Sequence, residues 1–240
     1  GKTSVEINGK KAHMWQTLTV CKGDIISVGK VESGCRCYLS IRGGINVPMV
    51  LGSRSTYVRG RFGGINGRQL KAGDIIEGFT VSLLGAGLRM PESLVPCFGD
   101  SFTVRVVLGP QANMFTECGI QTFLSNPYKV TIESDRMGYR LEGPAIEHKG
   151  KADIVSDALL PGAIQVPKDG KPIILMRDAQ TTGGYPKIGV AITPDLDALG
   201  QAKPNSTIKF SEITLREARK KLLEYRKKLA GLAEKLIRIS

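Results

Sequence analysis

Residues 4–41 read SVEINGKKAHMWQTLTVCKGDIISVGKVESGCRCYLSI. Apolar and polar residues alternate over Ser4–Ile7, Leu18–Val20, Ile25–Val28 and Cys37–Ile41. A period of two puts every second side chain on one face of a strand. Turn formers separate the runs: Asn8-Gly9, Lys22-Gly23-Asp24 and Glu32-Ser33-Gly34. Short alternating runs about ten residues apart, punctuated in this way, describe antiparallel strands of a barrel or sandwich. Lys71-Ala72-Gly73-Asp74 repeats the Lys22-Gly23-Asp24 pattern ahead of a second pair of isoleucines, so both read as tight turns feeding a strand.

Working outward, strand signals return at Phe102–Leu108, Tyr128–Glu133, Pro172–Met176 and Ile188–Ile192, with a short helix expected around Gln111–Cys118. Residues 85–97 form a Pro/Gly-rich linker. From Ser211 to Ile239 the period becomes helical. The chain therefore divides into a first β-domain over 1–88, a second over 98–210, and a long C-terminal helix over 211–240. Along that helix Leu215, Ala218, Leu222, Tyr225, Leu229, Leu232, Leu236 and Ile239 follow alternating steps of three and four, flanked by Arg219, Lys221, Arg226, Lys228 and Lys235. Such a seam packs either on the chain's own barrel or on a partner presenting acidic residues.

Composition narrows the function classes. In 240 residues, 41% hydrophobic and 23% charged, there is ample material for a core, which excludes a disordered chain. Glycine is abundant at 29 residues and aromatics make up only 6%, which suits turn-rich β structure. No run of 18 apolar residues is present and no basic-then-apolar leader opens the chain, so a cytoplasmic protein without a membrane role is expected. The net charge is +12, and nine basic against four acidic residues fall in the last thirty. With no dense basic run and few aromatics for base stacking, this surplus points to anionic small molecules or protein partners before nucleic acid. The five cysteines include no C-x-x-C pair, and Cys35 and Cys37 share a face if their run is a strand. They read as reduced, mostly buried thiols. His13 and His148 stand far apart, so no metal site is expected.

There is no G-x-S-x-G, no dinucleotide fingerprint and no H-E-x-x-H. Gly1-Lys2-Thr3 has the look of a phosphate-loop tail, yet a β-type run follows where a helix is needed. What remains is a set of polar, glycine-flanked segments. Gln180-Thr181-Thr182-Gly183-Gly184-Tyr185, with Asp178 just before it, is either a ligand-facing turn or a β-turn whose threonines bond their own backbone. Asp135-Arg136 is either a surface turn or an arginine set to clamp an anion. Ser53-Arg54 carries the same two readings, and Arg42 and Gln165 complete the candidates.

The blocks YLSIRGGINVPMVLGSRSTYVRGRFGGINGRQLKAGD, RVVLGPQ, YKVTIESDRMGYRLEGP, IVSDALLPGAIQVPKDGKPIILMRDAQTTGGYPKIGVAITPDLDALGQ and IKFSEITLREA, in that order, resemble the C subunit of 5-oxoprolinase. That family is also known as allophanate hydrolase subunit 2 or the biotin-dependent carboxyltransferase family. The likeness covers essentially residues 3–218. It implies a mainly β fold of tandem cyclophilin-like β-barrels, and its implied partners are a homologous barrel protein, the B subunit, together with the A subunit of 5-oxoprolinase. The family assembly opens 5-oxo-L-proline to L-glutamate at the expense of ATP. The expected activity is that of one component of an ATP-dependent amidohydrolase, inactive alone, with ATP handled together with the partners. Family members usually begin with a further N-terminal portion, so the first barrel is expected to be incomplete. Two alternatives stand beside this: the carboxyltransferase component of a biotin-dependent urea carboxylase or allophanate hydrolase system, for which biotin would be the cofactor, and a non-catalytic antagonist of a kinase inhibitor.

Overall fold

Lys2–Ile7 forms strand β1, which turns through Asn8 and Gly9 into β2, Lys10–Ala12. Both turn residues have positive φ, 53° and 74°. That mirror-image turn matches strand twist, and Asn-Gly is the pair that adopts it with least strain. Strand β3, Ile26–Ser33, pairs with the other edge of β1 to give an antiparallel sheet in the order β2-β1-β3. The computed structural model describes residues 1–79 and 86–238. Gly85 of the expected linker and Ile239 of the expected seam lie outside the described residues.

The two lysine-to-aspartate turns share one device. Asp24 Oδ2 accepts the Cys21 N–H at 2.7 Å, and Asp74 Oδ2 accepts the Lys71 N–H at 2.7 Å. Asn8 secures the first, donating to Asp24 Oδ1 and accepting from the Ile25 N–H. Arg68 secures the second by gripping both Asp74 oxygens at 2.8 Å. The second turn leads into no regular strand among the described residues, unlike the first.

Two compact units result. One comprises Gly1–Gln16, Val20–Cys37 and Leu88–Ser240; the other comprises Thr17–Thr19 and Tyr38–Gly87. The second unit is held by isolated bridges, Ile45 with Gly78, Val50 with Ser53 and Tyr57 with Phe62. The Tyr57 and Phe62 rings meet edge-on at 5.4 Å. Leu18–Val20 and Cys37–Ile41 are not strands, which corrects the sequence expectation and removes the shared face of Cys35 and Cys37. The physical reason near Cys37 is a side-chain anchor. Gln201 Oε1 accepts the N–H groups of both Cys35 and Arg36 at 3.0 Å, so these donors are unavailable to a ladder. Arg36 also donates to the Tyr139 hydroxyl at 2.8 Å and to the Gly200 carbonyl.

In the first unit, β4 (Leu88–Arg89) precedes β5 (Ser101–Leu108), α1 (Glu117–Ser125), β6 (Tyr128–Val130) and β7 (Gly138–Glu142). There follow β8 (Asp157–Ala158), β9 (Ala163–Gln165), β10 (Ile173–Leu175), β11 (Thr182–Gly183) and β12 (Lys187–Ala191). The chain ends with α2 (Leu196–Leu199), β13 (Thr207–Glu212), α3 (Leu215–Ala230) and β14 (Ile237–Arg238), which pairs with β4. Seven strands close into a barrel in the order β10-β7-β6-β13-β5-β12-β9. All its pairings are antiparallel except β13 with β5, which run parallel from Thr207 beside Ser101 to Glu212 beside Val106. Alternation sends Phe102, Val104 and Val106 of β5 and Ile208 and Phe210 of β13 into the core. Phe123 of α1 stacks on Phe210 with centroids 4.3 Å apart, and Tyr128 closes the group. The fold is thus mainly β, as expected.

Two helix boundaries are corrected. Around Gln111–Cys118 the chain makes a 3-10 turn, Ala112–Met114, and α1 starts only where the Thr116 hydroxyl accepts the Gly119 N–H at 2.9 Å. At the C-terminus Ser211 and Glu212 belong to β13, and a Thr214–Glu217 capping box sets the start of α3. Gly231 ends that helix well short of Ile239. Ala218, Leu222 and Tyr225 are half-buried, and the Tyr225 hydroxyl donates to the Asp197 carboxylate. The middle of α3 therefore covers its own unit, while Leu215 and Leu229 towards the ends of the helix stay exposed.

Candidate functional site at the barrel rim

The segment Thr181–Gly184 is not a lone β-turn. Its strand β11 pairs antiparallel with β8, Thr182 opposite Ala158 and Gly183 opposite Asp157. The ribbon is sewn down on both sides: Leu159 N–H donates to the Thr181 carbonyl at 2.9 Å, and Ile154 N–H to the Gly184 carbonyl at 2.8 Å. Beneath it lies Gln165, 2% exposed, whose Nε2 donates to the Tyr185 carbonyl at 3.3 Å. A Cβ on Gly183 would sit 2.8 Å from Leu159 Cδ1 and 2.9 Å from Gln165 Nε2, whereas one on Gly184 would meet nothing closer than 3.4 Å. Gly183→Ala therefore obliges the ends of the Leu159 and Gln165 side chains to shift, and is expected to cost about 1 kcal/mol. Gly184→Ala should stay within about 0.5 kcal/mol of wild type. Urea unfolding of the two variants checks this, and equal stability would mean that the ribbon gives way freely.

The ribbon also carries residues that the sequence did not mark. Lys187, the first residue of β12, is buried at 3% exposure. Its Nζ donates to Asp157 Oδ2 at 2.6 Å and to the Ala158 carbonyl at 2.9 Å. Gln111 bridges the pair, its Nε2 donating to Asp157 Oδ2 at 3.3 Å and its Oε1 accepting the Lys187 N–H at 3.2 Å. The Lys187 ammonium, with help from the Ala158 N–H and the Gln111 amide, holds the Asp157 carboxyl below its usual range. Here a buried cation and the Gln111 carboxamide meet a half-exposed carboxylate of the glycine-bearing ribbon, with the Gln165 carboxamide beneath Gly183. Donors of this kind can engage a carboxylate or an amide oxygen. The available signal was a lysine opening an otherwise apolar strand, but its partner lies 30 residues earlier and no periodicity links them.

Arg136 and Asp178 are brought together as a two-point ion pair, Nε to Oδ2 at 2.6 Å and Nη2 to Oδ1 at 3.1 Å. Of the two readings offered by the sequence, a surface turn or an anion clamp, the structure shows the guanidinium engaged by Asp178. Asp135 is a turn former, its Oδ1 accepting the N–H groups of Met137 and Gly138. Asp178 leads directly into Gln180, Thr181 and Thr182, all exposed, and then to Tyr185, also exposed. In the other compact unit, Arg54 Nε donates to the Val47 carbonyl at 3.1 Å and its guanidinium lies 5.2 Å from the Phe79 ring centroid. Ser53 Oγ accepts the Ser55 N–H at 3.0 Å, and Arg42 occupies an exposed turn closed from Gly44 N–H to Ile41 carbonyl. Ser53 and Arg54 thus serve their own loop.

Among the described residues no group of three or more His, Cys, Asp or Glu could hold a metal ion. His148 is occupied structurally, with Nε2 3.0 Å from the Val166 carbonyl and its ring against Phe115. All five cysteines are free thiols; Cys21, Cys97 and Cys118 are exposed and Cys35 and Cys37 half-buried, which corrects the expectation of mostly buried thiols. No described helix is long and apolar enough to cross a membrane.

With a closed barrel and its rim cluster in place, sequence comparison identifies the class. Residues 1–212 match the family described as carboxyltransferase domain, subdomain A and B, and the chain belongs to that family. It is 36% identical over 221 residues to the C subunit of 5-oxoprolinase from Escherichia coli (strain K12), covering 91% of this chain and 69% of that one. The Haemophilus influenzae protein of the same name is 36% identical over 214 residues, covering 89% and 68%. Among solved structures, the Kluyveromyces lactis urea carboxylase superposes with a TM-score of 0.89 at 32% identity. That match takes in 100% of this chain and 24% of the larger one.

Proposed function

We propose that this chain is one component of an ATP-dependent 5-oxoprolinase, hydrolysing 5-oxo-L-proline to L-glutamate together with the A and B subunits. The observation that carries this reading is the likeness to two 5-oxoprolinase components along about nine-tenths of the chain. The chemistry of the rim agrees with it. Opening a lactam requires the amide oxygen to be polarised or phosphorylated before water attacks, and the substrate bears a carboxylate as well. Lys187 brings a positive charge, and Gln111 and Gln165 bring amide donors, to the rim of the barrel, where donors held in place can engage an amide oxygen or a carboxylate. ATP is bound together with the partners, and turnover requires them.

The test is to co-express the chain with homologous A and B subunits, purify through one tag, and measure ADP released on addition of 5-oxo-L-proline. Substrate-dependent release by the assembly, with none from the chain alone, is the expected result. Turnover by the single chain, or none by the assembly, would overturn the proposal. A second reading, the carboxyltransferase component of a biotin-dependent urea carboxylase, is favoured by the superposition of this whole chain on 24% of the Kluyveromyces lactis enzyme. Carboxylation of urea by the chain supplied with a biotinylated carrier, and no response to 5-oxo-L-proline, would select it.

A further inference from the structure

The helix α3 has two dissimilar faces, and among the described residues only the inner one packs on its own unit. Ala218, Leu222 and Tyr225 turn toward the first unit. On the opposite side Arg216, Arg219, Lys220, Leu223 and Lys227 recur at helical spacing and form one exposed patch with Glu224. Leu223 stands 57% exposed in the middle of this stripe. The helix carries seven cations and two carboxylates, and both carboxylates are engaged. Glu217 completes the capping box, and Glu224 pairs with Lys221 at 3.2 Å.

Cations three and four residues apart on one helix face repel one another, so the stripe costs stability in the isolated chain. A counter-surface of carboxylates removes that cost. The single central leucine decides among counter-surfaces. A bilayer needs a broad apolar stripe, and this face has one apolar residue. A phosphate backbone calls for cations, and both an apolar centre and Glu224 count against it. An apolar anchor ringed by charge is the anatomy of a protein–protein contact. We infer that the outer face of α3 docks an acidic amphipathic helix of a partner protein, with carboxylates meeting Arg216, Arg219, Lys220 and Lys227 around an apolar contact at Leu223. Because the capping box and Tyr225 already hold α3 in place, the surface is preorganised for binding. The stripe lies beyond residue 212, where the family match ends.

The experiment uses the full chain and a fluorescent acidic amphipathic peptide, with glutamates placed around two leucines at helical spacing. Poly-L-glutamate of equal length and a short DNA duplex serve as competing probes, all in salt near physiological strength. Fluorescence anisotropy should give Kd values at least about tenfold weaker for R219E/K220E/K227E and about fivefold weaker for Leu223→Ala, as loss of charge pairs and of an anchor requires. Indifference to Leu223→Ala overturns the inference, as does equal or tighter binding of poly-L-glutamate or of DNA. The substituted positions lie on the outer face of the helix, and circular dichroism verifies the fold. Arg219→Glu alone, with the same direction of effect, replaces the triple variant should that variant unfold.

Discussion

Phe123→Ala should destabilise the protein by about 4 kcal/mol, the upper range for truncating a buried aromatic. Phe123 is 0% exposed, stacked on Phe210 and packed by Tyr128, so the ring ties α1 to two barrel strands at once. The cost combines lost transfer energy with a cavity that cannot collapse, because the hydrogen-bonded barrel wall is rigid. For a chain of this size the midpoint of thermal unfolding should fall by about 8–16 °C. Urea unfolding at an unchanged m-value is the check, and a loss below about 1 kcal/mol would show that α1 is not part of the core.

Lys187→Ala should cost about 3 kcal/mol, whereas Lys187→Met should stay within about 1 kcal/mol of wild type. The long stem of Lys187 fills space at the barrel rim, and alanine leaves it empty. Methionine restores the volume and removes a buried charge together with its desolvation cost. Both variants should abolish the proposed activity equally if the ammonium is what the reaction needs, so stability and turnover part company in Lys187→Met. The Asp157 carboxyl has a lowered pKa in the folded protein, chiefly through Lys187. Its contribution to stability is therefore present above the ordinary carboxylate value of about 4 and is lost as pH falls through the lowered folded value. Thermal melts between pH 2 and pH 6 (about the span over which carboxylates titrate) should show a shallower acid slope for Lys187→Met. Identical slopes would remove Lys187 as the cause.

Much of the barrel was legible because its strands alternate. Phe102, Val104 and Val106 announce an inward face without any knowledge of their neighbours, and the Asn8-Gly9 hairpin announces its own turn. Three-residue alternation such as Leu18–Val20 says nothing about whether a partner strand exists. Cys35 and Arg36 lost their place in a ladder to Gln201, a side chain 166 and 165 positions away. The candidate site was half legible for the same reason. Glycines and hydroxyls mark Thr181–Gly184 locally, but only the three-dimensional register sets Gly183 against Asp157, and Asp157 against Lys187. Arg136 and Asp178 were each noticed; that they spend their charge on one another is a fact of pairing, which composition does not record. The outer stripe of α3 was hidden beneath a stronger signal, the heptad seam on its inner side.

The parallel pairing of β13 with β5 makes the last barrel strand a keystone. It is inserted between β5 and β6, both of which are synthesised well before it, so the ring stays open until Phe210 and its neighbours have emerged. A nascent or prematurely terminated chain that stops before Thr207 presents two unsatisfied strand edges and an uncapped aromatic cluster, the features that recruit other chains into aggregates. Synthesis of β13 therefore closes the ring, and nonsense variants on either side of that strand should separate into insoluble and soluble products.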